Sequence, residues 1–464
     1  MALPEKEIHS KIPEQNIGKQ KIDLLKIPFI KSIFKSRLFP GIFQYLTLVV
    51  FGFIVYELIF GPGIAHDNFG TAMTWVLWWP LIPIVFLLLG RFWCAICPFA
   101  TVSDLIQKVV GVQGVVPRFL KDYGIWLIDF FFIMITWADH VFGIIESPRG
   151  SGILLLIITT GVIFAGAFFE RRTWCRYLCF LGGLSGNYAR SGALELRATP
   201  EICATCTAQA CYKGNEQTPG CPMFEFPRTM DNSARCNLCG HCVKTCPNDS
   251  IKISPRVPSS ELWFIKRPKL DESFLAIVIM GIVFVQNITM LEVWKDLLSG
   301  LEGLLGTTNY SITFTVTFMI AMALPVAALA LSSWLSGLGN GESTVKNFAR
   351  FGYALIPLDL AGHVAHNLFH LLAEGKAVIF TAMSLFGMES HGASTALAGP
   401  ETIQLLQFIL LGLGVLGSLY AAYRIAKHHD GIKAWSSFIP MGVLIIVLGL
   451  INVYLFLLPM AMRM

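Results

Sequence analysis

The chain alternates between long apolar runs and shorter polar connections. The apolar runs recur along all 464 residues, and runs of about 20 residues match the thickness of a bilayer crossed by an α-helix. They predict nine membrane spans, near 40–60, 72–90, 124–145, 151–170, 273–292, 311–334, 350–373, 402–423 and 435–458. The pattern therefore predicts an all-α polytopic membrane protein.

Composition supports this assignment. Hydrophobic residues make up 54% of the chain and charged residues 14%, with a mean hydropathy of +0.62, whereas a soluble domain carries about a quarter charged residues. The net charge of +5 comes from basic residues that flank apolar runs, so a nucleic-acid partner is not expected. The first 39 residues are polar and Lys-rich, so no cleavable signal peptide is expected.

The distribution of basic residues predicts an orientation. With a cytoplasmic N-terminus, 31 Lys and Arg residues fall on the inner side and 4 on the outer side, and basic loops favour the cytoplasm. Leaving out the long segment 171–272 still gives 17 against 4. We therefore expect a prokaryotic plasma membrane protein with its C-terminus outside and all 12 cysteines, from Cys94 to Cys246, at the cytoplasmic face. A reducing compartment favours metal-bound thiolates over disulfides.

Eight cysteines in one polar interval follow the spacing of a bacterial two-cluster ferredoxin. The regular copy reads C-x2-C-x2-C-x3-C-P, in which three thiolates hold one [4Fe–4S] cubane and the fourth reaches a neighbouring cluster. A looser upstream copy reads C-x2-C-x4-C-x9-C-P. With exchanged fourth ligands, the first cluster is predicted at Cys203, Cys206, Cys211 and Cys246, and the second at Cys236, Cys239, Cys242 and Cys221.

Two other interpretations of these eight cysteines stay open. A zinc ribbon also uses paired C-x2-C knuckles, although a tetrahedral ion gives no reason for two Cys-Pro endings. The irregular upstream copy is also compatible with an altered or lost cluster. The ferredoxin interpretation divides the chain into a basic segment 1–39, a four-helix membrane domain 40–180, a cytoplasmic α+β ferredoxin-like domain 181–272 and a five-helix membrane domain 273–464.

The other four cysteines form two related motifs after the second and fourth predicted spans. Cys94 and Cys97 form one pair, Cys175 and Cys179 the other, and a basic residue and a tryptophan precede each pair. Residues three or four apart share a helix face, and the two predicted hairpins resemble a duplication. The four thiols are therefore predicted to meet. A third iron–sulfur cluster, a redox-active dithiol arrangement and interface packing are the interpretations left open.

In these paired motifs and in the cysteine run that follows them, the chain resembles the polytopic membrane ferredoxins of the NapH, NosR and YccM type. The resemblance covers roughly residues 40–255. It implies electron transfer between quinones or cytoplasmic donors and respiratory or reductive partners. The family motif is C-x3-C-P. Cys175 and Cys179 keep this spacing without the proline, whereas Cys94 and Cys97 keep the proline with two intervening residues.

The most polar element of the second membrane half is the seventh predicted span. Asp359, His363, His366 and His370 fall on one helical stripe there. Ionisable groups at membrane depth are costly and commonly mark a functional path. A quinone or quinol site, a haem b or other metal site, and a structural hydrogen-bond network are the interpretations left open. His391, in the following outer loop, is the distant partner that a bis-histidine haem would need.

Other residues in the predicted spans are interpreted as packing or interfacial groups. They are Glu57, Asp129, Asp139 with His140, and the cluster Trp75, Trp78 and Trp79. Pro357 is expected to kink the seventh span. The outward placement of His370 leaves about 30 Å of bilayer core between it and the clusters. Either the quinone binds nearer the inner face, or another cofactor bridges that distance.

Together these features predict a membrane-bound iron–sulfur electron-transfer protein. The expected cofactors are two [4Fe–4S] clusters, a third iron–sulfur cluster, and a quinone in preference to haem b. The expected partners are quinone or quinol, a cytoplasmic ferredoxin, flavodoxin or flavoprotein, and other subunits of a redox complex. The chain would then be a quinone-linked oxidoreductase subunit, and no catalytic residue is assigned. The alternative is a ferredoxin-containing membrane transporter, or an assembly or regulatory factor with a redox-sensing role.

Basic residues in the cysteine-rich segment favour an acidic partner, although a solvated basic face explains them equally well. They are Arg197, Lys213, Arg228, Arg235 and Lys244.

Overall fold

The computed structural model describes residues 22–388 and 393–459. His391, the predicted distant haem partner, lies outside the described residues, as does most of the basic segment 1–39. The described part is mainly helical, in agreement with the predicted all-α membrane architecture.

Seven helices build the first part of the chain. The apolar ones end where polar or glycine residues begin, and α2 and α6 are apolar on nearly all faces, as lipid-facing helices are. The helices are α1 (Pro28–Lys35), α2 (Gly41–Phe60), α3 (Trp79–Leu89), α4 (Pro98–Val109), α5 (Arg118–Phe142), α6 (Pro148–Phe168) and α7 (Phe180–Ser191).

A wide helical turn precedes α3. The single turn Phe69–Thr71 leads into a π-helical segment, Ala72–Trp78. At its end the amide of Trp79 bonds to the carbonyl of Thr74, five residues back. Pro80 follows in the first turn of α3, where its missing amide hydrogen is tolerated. π-Helical turns are rare and are frequent at functional sites.

Residues 192–269, here called the cysteine-rich region, contain a two-stranded antiparallel sheet. Strand β1 (Leu194–Ala198) pairs with β2 (Ile251–Pro255), with Leu196 opposite Ile253, and both side chains are buried. Helix α1 docks on this region, since the Nζ atoms of Lys31 and Lys35 lie 3.2 and 2.7 Å from the carboxylate of Asp249. Shorter turns are Leu24–Lys26, Ala65–Asp67, Gly90–Phe92, Trp93–Ile96, Thr173–Tyr177, Pro200–Ala204, Ala210–Lys213, His241–Thr245 and Ser260–Phe264.

The second part of the chain packs around one buried helix. In the most apolar window of α8 (Leu270–Ile288), 67% of the residues are buried, against 17–44% for the other membrane-length helices. The remaining helices are α9 (Val293–Leu305), α10 (Tyr310–Asn340), α11 (Thr344–Phe351), α12 (Ile356–Glu374), α13 (Ala377–Ser384), α14 (Pro400–Asp430) and α15 (Ala434–Leu457), with 3-10 turns at Gly352–Leu355 and Gly431–Lys433.

The two membrane parts share one hydrophobic core. Phe86 of α3, Phe132 of α5 and Tyr188 of α7 belong to the same buried cluster as Leu275 of α8 and Leu360 of α12. Because apolar contacts bridge the two parts, the paired cysteine motifs and the histidine-bearing helix lie in one body.

Each of the nine predicted spans overlaps a helix. By length and composition, seven helical stretches of the described residues are able to cross a membrane, and the last, Pro400–Leu457, contains both α14 and α15. Helix α12 is not one of the seven. These findings support a multi-pass membrane protein, and the number of spans stays a prediction.

The expected kink at Pro357 is wrong in its position. Pro357 occupies the first turn of α12, directly after the 3-10 turn Gly352–Leu355. A proline in the first turn costs no helical hydrogen bond, so it starts this helix instead of bending its middle.

Candidate metal centres

The structure brings the four paired cysteines to one cavity. Cys94, Cys97, Cys175 and Cys179 line a cavity of about 100 Å³ where the membrane helices adjoin the cysteine-rich region. Burial, followed by the charges of the other three thiols, raises the pKa of Cys179 well above its ordinary value. Such mutual influence requires the four sulfurs to be neighbours.

Both pairs are built in the same way. Cys94 lies in the helical turn Trp93–Ile96 and Cys97 caps the N-terminus of α4, while Cys175 lies in the turn Thr173–Tyr177 and Cys179 caps the N-terminus of α7. Both capping cysteines have extended backbone, with φ/ψ of −61°/132° and −78°/116°. The second motif has one more residue because its helical turn is longer. Helix N-termini carry partial positive charge, which favours thiolates.

Two buried arginines hold the motifs together. Arg172 is 3% exposed; its Nε and Nη2 atoms donate to Asp104 at 2.9 and 2.5 Å, and its Nη1 donates to the carbonyl of Cys94 at 3.0 Å. Arg91 donates to the carbonyls of Cys175 at 3.2 Å and Ala234 at 2.8 Å, and its Nε lies 3.5 Å from the sulfur of Cys94. The two motifs and the cysteine-rich region are thereby joined at this cavity.

The surroundings of Arg91 fit a site that carries negative charge. Arg91 is 4% exposed, and within the described part of the chain its side chain forms no ion pair. A buried cation is costly unless an anion lies beside it. Thiolates that hold an iron–sulfur cluster would supply that negative charge, so the residues present fit such a group.

Unpartnered indole groups are a second indication that an iron–sulfur cluster fits this site. Trp78, Trp93 and Trp174 line the cavity, and the Nε1 atom of each is buried without a hydrogen-bond partner among the described residues. Buried donors are nearly always satisfied in native proteins. Sulfur atoms of thiolates and of a cluster would accept from the N–H groups of Trp93 and Trp174, each of which directly precedes a cysteine, and hydrogen bonds to sulfur tune cluster potentials.

The first predicted ligand set also lies together. The sulfur of Cys203 is 3.0 Å from Oγ of Ser250, whose backbone amide donates to the sulfur of Cys246 at 3.3 Å. Burial, and then the charges of Cys203, Cys246 and Cys206, raise the pKa of Cys211 to about 12. The described geometry thus groups the same four cysteines that the exchange of fourth ligands predicts.

The second set surrounds a smaller cavity. Cys221, Cys236, Cys239 and Cys242 line a space of about 20 Å³. Burial raises the pKa values of Cys236 and Cys239 to about 12, and Cys221 contributes to both shifts. The backbone amide of Glu225 donates to the sulfur of Cys221 at 3.4 Å. That these two sets hold clusters stays a prediction.

No single-ion centre is formed by the described residues. Within 22–388 and 393–459, no three His, Cys, Asp or Glu side chains stand close enough together to hold one metal ion.

The histidine stripe of α12 has separate partners. Nδ1 of His363 lies 3.1 Å from the hydroxyl of Tyr188, Nδ1 of His366 lies 2.8 Å from Oδ1 of Asn287, and Nδ1 of His370 lies 3.4 Å from the carboxylate of Glu374. The Nδ1 partners therefore belong to three different helices, while the rings of His366 and His370 pack against each other with centroids 5.3 Å apart. A quinone or haem at this helix stays a prediction.

The last member of the stripe is Asp359. Its carboxylate oxygens are buried, and the described residues offer them no hydrogen-bond partner.

The roles of Arg91, Arg172 and Asp104 are not predicted from the sequence. One signal was present, since Arg-x-Trp-Cys occurs in both motifs, at Arg91 and at Arg172. Asp104 has no comparable signal, because its role depends on the approach of α4 to the second motif. Trp78 was interpreted as packing or as part of an aromatic belt, and its place beside the thiols follows from the fold.

The comparisons with known proteins point to the paired motifs. The family model described as a 4Fe–4S binding domain matches residues 71–115 and 151–197, which contain both Trp-Cys motifs. The chain is 28% identical over 226 residues to YccM of Escherichia coli (strain K12), which its name assigns to electron transport. That alignment covers 43% of this chain and 60% of YccM. No solved structure matches.

The chain therefore spans about three fifths of its curated relative. The family match supports the binding of a [4Fe–4S] cluster, and the two comparisons agree with the resemblance seen in the paired motifs. Over the matched part, this chain is similar to the YccM-type membrane ferredoxins.

Proposed function

We propose that this protein passes electrons through three iron–sulfur clusters between a cytoplasmic redox partner and the quinone pool. The 4Fe–4S family match and the similarity to YccM support the iron–sulfur electron-transfer role. The observation that carries the proposal is the succession of three four-thiol groups. Two of these groups lie in the cysteine-rich region, and the third lies at the membrane helices.

Contacts between neighbouring groups support this order. Cys211 of the first set contributes to the raised pKa of Cys242 in the second set. Arg172 interacts electrostatically with Cys239 of the second set and with Cys175 of the paired motifs. These influences support an order in which the second set is the middle group.

The proposed cytoplasmic partner is an acidic ferredoxin, flavodoxin or flavoprotein. Lys213 and Arg235 are exposed and available to such a partner. Arg197 is not, because it is buried in an ion pair with Glu261. Lys244 donates to the carbonyl of Phe39, so it too is engaged within the molecule. The basic surface is smaller than the sequence alone indicates.

Iron analysis of the anaerobically purified protein tests the proposal. We expect about twelve irons and twelve acid-labile sulfides per chain, because three cubanes hold four each. Cys203→Ser, Cys239→Ser and Cys94→Ser should each remove about four irons. Ser185→Ala, next to Cys94, is the control and should retain them all. About eight irons, unchanged by Cys94→Ser, would show that the paired motifs hold no cluster.

Reoxidation separates the proposal from its alternative. After reduction with dithionite, the EPR signals of the clusters should disappear when a quinone analogue is added. Clusters that can be reduced but are never reoxidised by quinone would favour a transporter or regulatory factor with a redox-sensing role.

A further inference from the structure

The cavity beside the paired cysteines continues along the membrane helices, away from the cysteine-rich region. We call it the tryptophan cavity, because Trp75, Trp78 and Trp79 line it beyond the thiols. On α6 it runs from Ser151 to Ile158, which is about 10 Å at 1.5 Å per residue. It therefore connects the thiols with the interior of the helical bundle.

Flat aromatic rings form much of its wall. The ring centroids of Trp78 and Trp79 are 6.1 Å apart, and those of Trp79 and Phe180 are 6.4 Å apart. Phe180 in turn stacks on Phe132 at 5.6 Å. Such a wall favours a flat, apolar, ring-shaped ligand.

Besides Nε1 of Trp93 and of Trp174, two further polar atoms at the cavity lack partners. Nε1 of Trp78, a donor, and Oε1 of Gln286, an acceptor, are buried without a hydrogen bond among the described residues. By contrast, Nε1 of Trp75 donates to Oγ of Ser151 at 2.9 Å, and Ser151 donates to the carbonyl of Ile144 at 2.8 Å. Beyond the indoles of Trp93 and Trp174 beside the thiols, the cavity thus offers a free donor at Trp78 and a free acceptor at Gln286.

The backbone of this wall is also unusual. Trp75 and Trp78 lie in the π-helical segment Ala72–Trp78, and π-helical turns are frequent at functional sites. This observation is independent of the cavity and of the unpartnered atoms.

We propose that the tryptophan cavity binds the head group of a quinone, directly beside the paired cysteines. The inference rests on the proposed function and gives the quinone of that proposal a site lined by the first part of the chain and by Gln286 of α8. A quinone carbonyl would accept from Trp78, and a hydroquinone hydroxyl would donate to Gln286. Reduction takes up two electrons that arrive through the thiol-held group and two protons from water, and oxidation of hydroquinone releases them.

This site differs from the one predicted on α12. There, a smaller cavity of about 50 Å³ is lined by His366, Asn287 and Gln407. No thiol lines that cavity. The tryptophan cavity adjoins the thiols, so electrons need not cross the bilayer core to reach it.

Photolabelling of the full protein in nanodiscs tests the site. An azido-derivatised short-chain quinone is added with and without excess decylubiquinone, and labelled peptides are identified by mass spectrometry. We expect competed labelling in 72–93 or 132–158. Competed labelling confined to 366–374, with none in 72–93 or 132–158, would place the quinone at the smaller cavity beside His366 and overturn the inference. Labelling displaced by phospholipid but not by decylubiquinone would indicate an acyl-chain cavity and would also overturn it.

Matched substitutions make the test quantitative. Trp78→Phe and Gln286→Leu each remove one polar partner, so the Kd for decylubiquinone should rise about three- to tenfold, the factor expected for one buried neutral hydrogen bond. Two variants are controls. Trp137→Phe removes an indole bonded to Thr315 at 2.9 Å outside the cavity, and Gln407→Leu removes an amide near His366. Neither control should change the Kd.

Iron content and EPR spectra of the same samples separate the two proposals. Intact clusters with unchanged quinone affinity in Trp78→Phe and Gln286→Leu would overturn the quinone site alone. Absence of clusters from the unmodified protein would overturn the proposed function.

Discussion

At the scale of single residues, the tryptophan that precedes the first cysteine of each pair adds a hydrogen-bond donor that the cysteines alone do not provide. Trp93 and Trp174 place buried, unpartnered indole N–H groups at the cavity of the four thiols. A hydrogen bond donated to sulfur stabilises the more negative, reduced form of a cluster and so raises its reduction potential. The Arg-x-Trp-Cys sequence thus combines a buried cation, a hydrogen-bond donor and a proposed cluster ligand.

We expect Trp93→Phe and Trp174→Phe to make the potential of the third cluster more negative. Each change removes one donor while the aromatic volume is nearly kept. The shift should be up to about 59 mV, a tenfold change in the oxidised-to-reduced ratio for one electron, measured by EPR-monitored redox titration. Trp263→Phe is the control, because its buried Nε1 is also unpartnered but does not line this cavity. Equal shifts in all three variants would contradict the assigned role.

At the scale of elements, the histidine-bearing helix α12 is held by a close helix–helix contact. A Cβ atom at Gly414 of α14 would lie 2.4 Å from Cβ of Ala361 of α12. Gly412 lies on the same helix, and a Cβ there would meet no atom within 4 Å. The glycine at 414 is therefore required by packing, and the one at 412 is not.

Gly414→Ala should destabilise the protein by about 1–3 kcal/mol, the cost of an overpacked contact. Gly412→Ala should leave stability unchanged or raise it by up to about 1 kcal/mol, because alanine is the better helix former. Thermal unfolding of the two variants in detergent measures the difference. Equal melting temperatures would show that the two helices do not approach closely at this point.

At the scale of the whole molecule, the orientation in the membrane decides which compartment meets the clusters. Helix α10 has exposed residues before and after it, Thr308 and Lys346. The last 218 residues contain no cysteine, so a thiol placed there is easily identified. The basic-residue distribution predicts that Thr308 is outside and Lys346 inside.

In intact cells, a membrane-impermeant maleimide should label Thr308→Cys and leave Lys346→Cys unlabelled. Both should be labelled after the cells are broken, which controls for accessibility. The reverse pattern would put the cysteine-rich region outside the cytoplasm and would refute the proposed cytoplasmic partner.

The sequence by itself determined the features that depend on local spacing. The lengths of the apolar runs predicted helices at nine positions, because a bilayer fixes the length of a span. The structure has a helix at each of these positions. Cysteine spacing predicted the grouping of Cys203 with Cys246 and of Cys221 with Cys236, because the fourth cysteine of each copy of a two-cluster ferredoxin motif binds the other cluster.

Only the tertiary structure decided features that depend on contacts between distant segments. The pairing of Arg172 with Asp104, the ring wall at Trp78 and the separate partners of His363 and His366 all join residues from different helices. Helix periodicity fixes which residues share a face of one helix, but it does not specify which other helix covers that face. For this reason the tryptophan cavity emerged from the fold, while the thiols at its end were visible in the sequence.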